Sequence, residues 1–105
     1  MNSAGLKRFL QYYGYRAKEF PSRGFSGYTM KELLKSDHRI ALKVNCRGLG
    51  QDGWHWVRLE GFRCTRGKDI AIIGDPWTGR SWEVPTHALL KRTDPGAGVV
   101  VAKLG

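Results

Sequence analysis

The sequence predicts an α+β fold, with N-terminal helices packed on a small antiparallel β-sheet. Three observations point there. Apolar residues at helical spacing are concentrated near the N-terminus (Leu6, Phe9, Leu10, Tyr13). From Ile40 onward they alternate or form short apolar runs between turn residues. Helices and strands are therefore segregated, unlike the regular alternation of a parallel-sheet fold. The 105 residues suit one domain spanning 1–105. A hydrophobic content of 41% and a charged content of 26% exclude a disordered chain, a collagen-like repeat and a coiled coil. No apolar run approaches the ~18 residues of a membrane span. The opening MNSAGLKRFL lacks an apolar signal core, so the expectation is a cytoplasmic protein without membrane contact.

The first helix carries its stripe against Lys7, Arg8 and Gln11 on the other side, and Gly14 stops it. Tyr15 to Tyr28 contains Pro21, Gly24 and Gly27 and predicts an irregular loop. Thr29-Met30-Lys31-Glu32 fits a capping box, so a second helix starts at Thr29 and ends near Ser36-Asp37. Ile40, Leu42 and Val44 alternate with Ala41 and Lys43 as a strand, followed by a connection containing Gly48, Gly50 and Gly53. Trp54 to Phe62 is the next strand, with His55, Val57 and Leu59 on one face and Trp56, Arg58 and Glu60 on the other. Arg63 to Lys68 reads as a polar turn, Asp69 to Gly74 as a buried strand, and Asp75 to Gly79 as a turn. Arg80 to Val84 forms a strand, Thr86 caps a short helix through Leu90, and Gly98 to Lys103 is the last strand.

Lys and Arg total 18 against 9 Asp and Glu, a net charge of +9. Residues 1–50 hold ten basic and three acidic side chains, residues 51–105 eight and six. Such a surface attracts polyanions or an acidic protein. Arg16, Lys18, Arg23, Lys31 and Lys35 are interleaved with Tyr15, Phe20, Phe25 and Tyr28. Cations with exposed rings can track a single-stranded nucleic acid; a substrate-groove loop or a plain solvated surface has the same composition. Cys46 and Cys64 form no CxxC, which excludes a zinc finger or ribbon and predicts free thiols. His38, His55 and His87 have no metal-ligand spacing, so neither a metal nor another cofactor is expected.

A hairpin centred on Thr65 places His55 directly opposite Asp75. A carboxylate beside an imidazole fixes its tautomer and stabilises its charged form, the base-and-orienter half of a catalytic triad. A structural His–Asp pair has the same spacing, and a slip of one residue would separate the two onto opposite faces. Cys46 closes the strand before the glycine-rich connection, where a nearby His⁺ would make its thiol reactive. Trp54, Trp56, Trp77 and Trp82 are packing residues by composition. Trp77, close to Asp75, also suits a shield between that pair and water.

Asp52-Gly53-Trp54-His55-Trp56-Val57-Arg58-Leu59-Glu60-Gly61-Phe62 resembles the "GHWV..GY" segment of papain-like cysteine peptidases, nearest to the bacteriocin-processing peptidases that cut double-glycine leaders. Ile72-Ile73-Gly74-Asp75-Pro76-Trp77-Thr78-Gly79 is similar to that family's "v.v.DP..G" segment. Tyr12-Tyr13-Gly14 resembles the end of its first helix, and Thr29-Met30-Lys31-Glu32-Leu33 its "t..eL" segment. The resemblance implies a papain-like fold, with His55 as general base and Asp75 as its orienter. The family's nucleophilic Cys opens the first helix; counting back from Tyr12 lands on Met1. Ser3 stands nearby, where Asn2 or Ser3 serves more simply as a helix cap.

The resulting expectation is a degenerate peptidase domain that binds a peptide or protein partner, such as a phage or mobile-element inhibitor or effector. Trp54, Trp56, Trp77, Arg16, Arg23 and Lys31 are its candidate contact residues. Two alternatives stay open. One is an active cysteine peptidase or amidase whose nucleophile is Cys46 or lies upstream of Met1. The other is a basic nucleic-acid-binding module.

Overall fold

The computed structural model describes residues 2–21, 26–45, 47, 53–75, 78–94 and 98–104. Its elements in chain order are α1 (Ser3–Tyr12), β1 (Tyr15–Pro21), α2 (Gly27–Lys35), β2 (Arg39–Asn45), β3 (Trp54–Thr65), β4 (Lys68–Gly74), β5 (Ser81–Pro85), α3 (Thr86–Arg92) and β6 (Gly98–Leu104). The strands form one open antiparallel sheet of order β1-β6-β2-β3-β4-β5. The expected α+β class holds.

Side-chain alternation divides the sheet into two faces. Ile40, Leu42 and Val44 of β2, Val57 and Leu59 of β3, Ala71 and Ile73 of β4, Val84 of β5 and Val101 of β6 point to one face. Met30 of α2 and Leu89 of α3, both with no exposed surface, close the main core over them. On the other face Ala17, Val100 and Ala102 form a smaller cluster under Leu6 and Leu10 of α1, beside Ala41 and Trp56. α1 lies antiparallel along β1: Lys7 pairs with Glu19 at 3.4 Å, and Gln11 Nε2 donates to the Ala17 carbonyl at 3.3 Å.

Residues 15–21 are the edge strand β1, not the irregular loop their composition suggests. The strand exists because Ala17 packs under α1 and β6 supplies the ladder, Tyr15 to Pro21 pairing with Leu104 to Gly98. α2 begins two residues before Thr29: Ser26 is the N-cap and its Oγ accepts from the Thr29 N–H at 3.2 Å. A Cβ at Gly27 would stand 3.0 Å from Thr86 Cγ2 of α3, a tight contact.

The stretch expected as a turn from Arg63 to Lys68 is mostly strand. Only Arg66 and Gly67 turn, with φ of 51° and 76°, as a two-residue hairpin loop with both residues left-handed requires. α3 extends to Arg92, and Thr86 does not cap it. Its hydroxyl donates instead to the Asp69 carbonyl of β4 at 3.3 Å.

Leu89 anchors α3 in the main core with no exposed surface. Leu89→Ala is expected to lower unfolding stability by about 2–5 kcal/mol through the lost burial and the cavity left behind. Urea denaturation followed by circular dichroism measures it.

Candidate functional site

One end of the sheet brings together Trp54, His55 and Asp75. β2 ends there with Asn45, β3 begins with Trp54 and His55, and β4 runs into Asp75. The N-terminus of α1 lies at the same end, because α1 runs antiparallel to β1 and β1 pairs antiparallel with β6. Asn2 caps it, its Oδ1 accepting from the Gly5 N–H at 2.8 Å, and Ser3 is buried. α1 covers the face opposite that of Val57, which is also the face of His55.

His55 faces Val44 across the β2–β3 ladder and is half-buried. Asp75 is 3% exposed and is the one fully buried acid among the described residues. The backbone of Asp75 is fixed on both sides: its N–H donates to the Arg80 carbonyl and its carbonyl accepts from the Gly79 N–H, each at 2.9 Å.

The expected direct His55–Asp75 register is not the one formed. The turn at Arg66-Gly67 sets Thr65 opposite Lys68, and a β-bulge at Glu60 leaves Arg58 opposite Gly74. Extending that ladder by one residue brings Val57 opposite Asp75, so His55 lies two positions further along. A displacement of two preserves the face, so both residues stay on the main-core side of the sheet.

α3 adds residues that sequence reasoning missed. The Arg92 guanidinium donates to the carbonyls of Asn45 (3.0 Å) and Arg47 (2.8 Å). The Asp94 N–H donates to the Lys43 carbonyl at 2.8 Å, and Thr93 bridges to Val44. Arg92 thus clamps the chain on both sides of position 46. A basic residue in the last helical turn signals only contact with the helix's own carbonyls, not with those of a distant strand. A depression lined by Asn45, Arg47, Gly53 and Trp54 opens at this end of the sheet.

The other sequence candidates are dispersed. Cys46, Trp77 and Arg23 lie outside the described residues. Trp54 is 49% exposed, whereas Trp56 is half-buried beside α1, and Trp82 packs against the main core. Arg16 and Lys18 are exposed on β1. Lys31 is engaged within the fold: Nζ donates to Asp69 Oδ1 at 2.8 Å and stands 5.2 Å from the Phe62 ring centroid. Cys64 is a free, exposed thiol opposite Asp69, near the far end of the hairpin. No group of three or more His, Cys, Asp or Glu among the described residues is arranged to hold a metal ion. No helix there is long and apolar enough to cross a membrane.

Two acids away from this end carry resolved electrostatic shifts. The hydrogen bond from Lys31 holds the Asp69 carboxyl below its ordinary value, aided by Thr86 and opposed by partial desolvation. The two-pronged contact from Arg63, at 2.8 and 2.5 Å, likewise lowers Glu83 and raises Arg63. Compared with known proteins, the chain matches no family model, and no curated protein is similar to it at a significant level.

Both acids have depressed values in the folded state. Their stabilising contribution is present above the unfolded carboxylate range of about 4 and is lost as pH falls through the folded values. The Asp69→Asn/Glu83→Gln variant is therefore expected to show a shallower loss of stability on acidification. Urea midpoints measured from neutral pH down to about pH 3 report this slope.

Proposed function

We propose that this chain is a papain-like scaffold that binds a peptide or protein segment without cutting it, with His55 and Asp75 retained as a base-and-orienter pair. The burial of Asp75 carries this reading. In a chain of net charge +9, the one fully buried acid among the described residues stands at the end and on the face where His55 lies. A buried carboxylate is costly unless hydrogen-bonded and paired. A backbone held by Gly79 and Arg80 suits an orienting role better than a solvated turn would. An acid so placed can select one imidazole tautomer. The described head of α1, Asn2 and Ser3, offers this pair no thiol. The exposed Trp54 and the depression beside it offer a partner both apolar surface and hydrogen-bonding groups.

A second reading, a polyanion-binding face, is favoured by β1 and β6. Arg16, Lys18 and Lys103 are exposed on the sheet face of Val101, at the β1 edge, and Phe20 shares that face at 39% exposure. Binding to single-stranded nucleic acid that weakens steeply with salt would favour this role over peptide binding.

Nitrogen-15 spectra of the histidine rings test the pair. Asp75→Asn is expected to shift the ring nitrogens and tautomer balance of His55 while leaving His38 and His87 unchanged. A His55 spectrum indifferent to that substitution overturns the reading. Iodoacetamide labelling across about pH 5 to 9 tests the absence of a nucleophile: neither Cys46 nor Cys64 is expected to label rapidly near pH 6. Rapid labelling of Cys46 near pH 6, lost in His55→Ala, would replace the binding module with a thiolate enzyme.

A further inference from the structure

The α1 side of the sheet contains a groove unrelated to the His55–Asp75 end. Its origin is the small size of the side chains beneath it. Ala41 and Ala102 pave the floor with Val100, Leu6 and Leu10 of α1 form one wall, and Trp56 of β3 forms the other. Larger residues on the floor would fill the space; alanines leave an open trough of about 260 Å³.

The groove is chemically polarised along its length. Arg58 faces Ala41 across the β2–β3 ladder, and Arg39 faces Ala102 across β2–β6. Both arginines therefore border the floor level with its two alanines, on the Tyr15 side of Trp56 along the strands. Each arginine makes one single-point surface contact with an acid, Arg39 to Asp37 at 3.3 Å and Arg58 to Glu60 at 3.2 Å. A guanidinium has five N–H donors, so donors remain for a bound anion at each. Such contacts are weak at exposed sites and yield to a better-placed carboxylate.

We infer that this groove binds a small amphipathic carboxylate, its apolar chain or ring on the Ala41–Ala102 floor between α1 and Trp56 and its carboxylate between Arg39 and Arg58. The apolar floor and the α1 wall favour the hydrocarbon by burial, and the two arginines select the anion over a neutral head. The site lies on the opposite face from His55 and Asp75 and does not depend on the reading of that pair.

Decanoate and decanol, which share a chain and differ in head group, are the probes. In amide NMR titrations decanoate is expected to shift Ala41, Ala102 and the Trp56 indole, with decanol at least about tenfold weaker, the loss of one charge-assisted hydrogen-bond pair. Arg39→Gln/Arg58→Gln changes only exposed side chains and is expected to reduce decanoate to the level of decanol. Ala41→Leu fills the floor and is expected to abolish both. Equal binding of the two probes overturns the inference. So do shifts confined to the α2–α3 face, or no shifts at millimolar decanoate. Should Ala41→Leu fail to fold, the double arginine variant decides alone.

Discussion

The structure depends on the insertion of β6 between β1 and β2. Among the described residues β1 has no other strand partner, so the ladder from Tyr15–Leu104 to Pro21–Gly98 is what joins the N-terminal α1–β1 unit to the domain. β6 also serves both faces. Val101 enters the main core, while Val100 and Ala102 pack beneath α1. A strand buried on both sides needs a continuous apolar run rather than alternation, and Val99-Val100-Val101-Ala102 supplies one. The two clusters on opposite faces thus share one backbone.

The parts of the fold legible in the sequence are those whose signal is local. β2 shows strict alternation, and its buried residues Ile40, Leu42 and Val44 are those that alternation selects. β4 and β6 are apolar runs between turn residues. What could not be read rests on distant partners. Among the described side chains of β1 Ala17 alone is buried, and its ladder lies at the other end of the chain. Both helix caps were also misplaced. Thr86 bonds to β4 rather than to its own helix, and Ser26 outcompetes Thr29 as the cap of α2.

The candidate site was legible to the same degree. Strand alternation placed His55 correctly with Val57 and Leu59, because that face is decided within β3. Its register against Asp75 was not legible, since a bulge at Glu60 and a left-handed Arg66 leave no period-two trace. Gly74 carries the related signal: a Cβ there would collide with the Glu60 carboxylate, which reaches over it to Ser81 at 3.2 Å. Lys31 looked like a partner contact because a cation in a basic, aromatic stretch carries no mark of the Asp69 and Phe62 that occupy it. Arg92 was invisible as a clamp because its acceptors are backbone carbonyls, which no side-chain pattern reveals.

Among the described residues the sheet is open, and β1 and β5 each have a border with no strand partner. Such borders template aggregation unless something discourages a second strand from docking. At one border the exposed Arg16 and Lys18 project from β1, and Pro21, which has no N–H to donate, ends it. At the other, β5 is only five residues long and also ends in proline. With a net charge of +9, approaching copies repel before those borders meet. The same basic residues therefore discourage a two-edged sheet from pairing with its own copies.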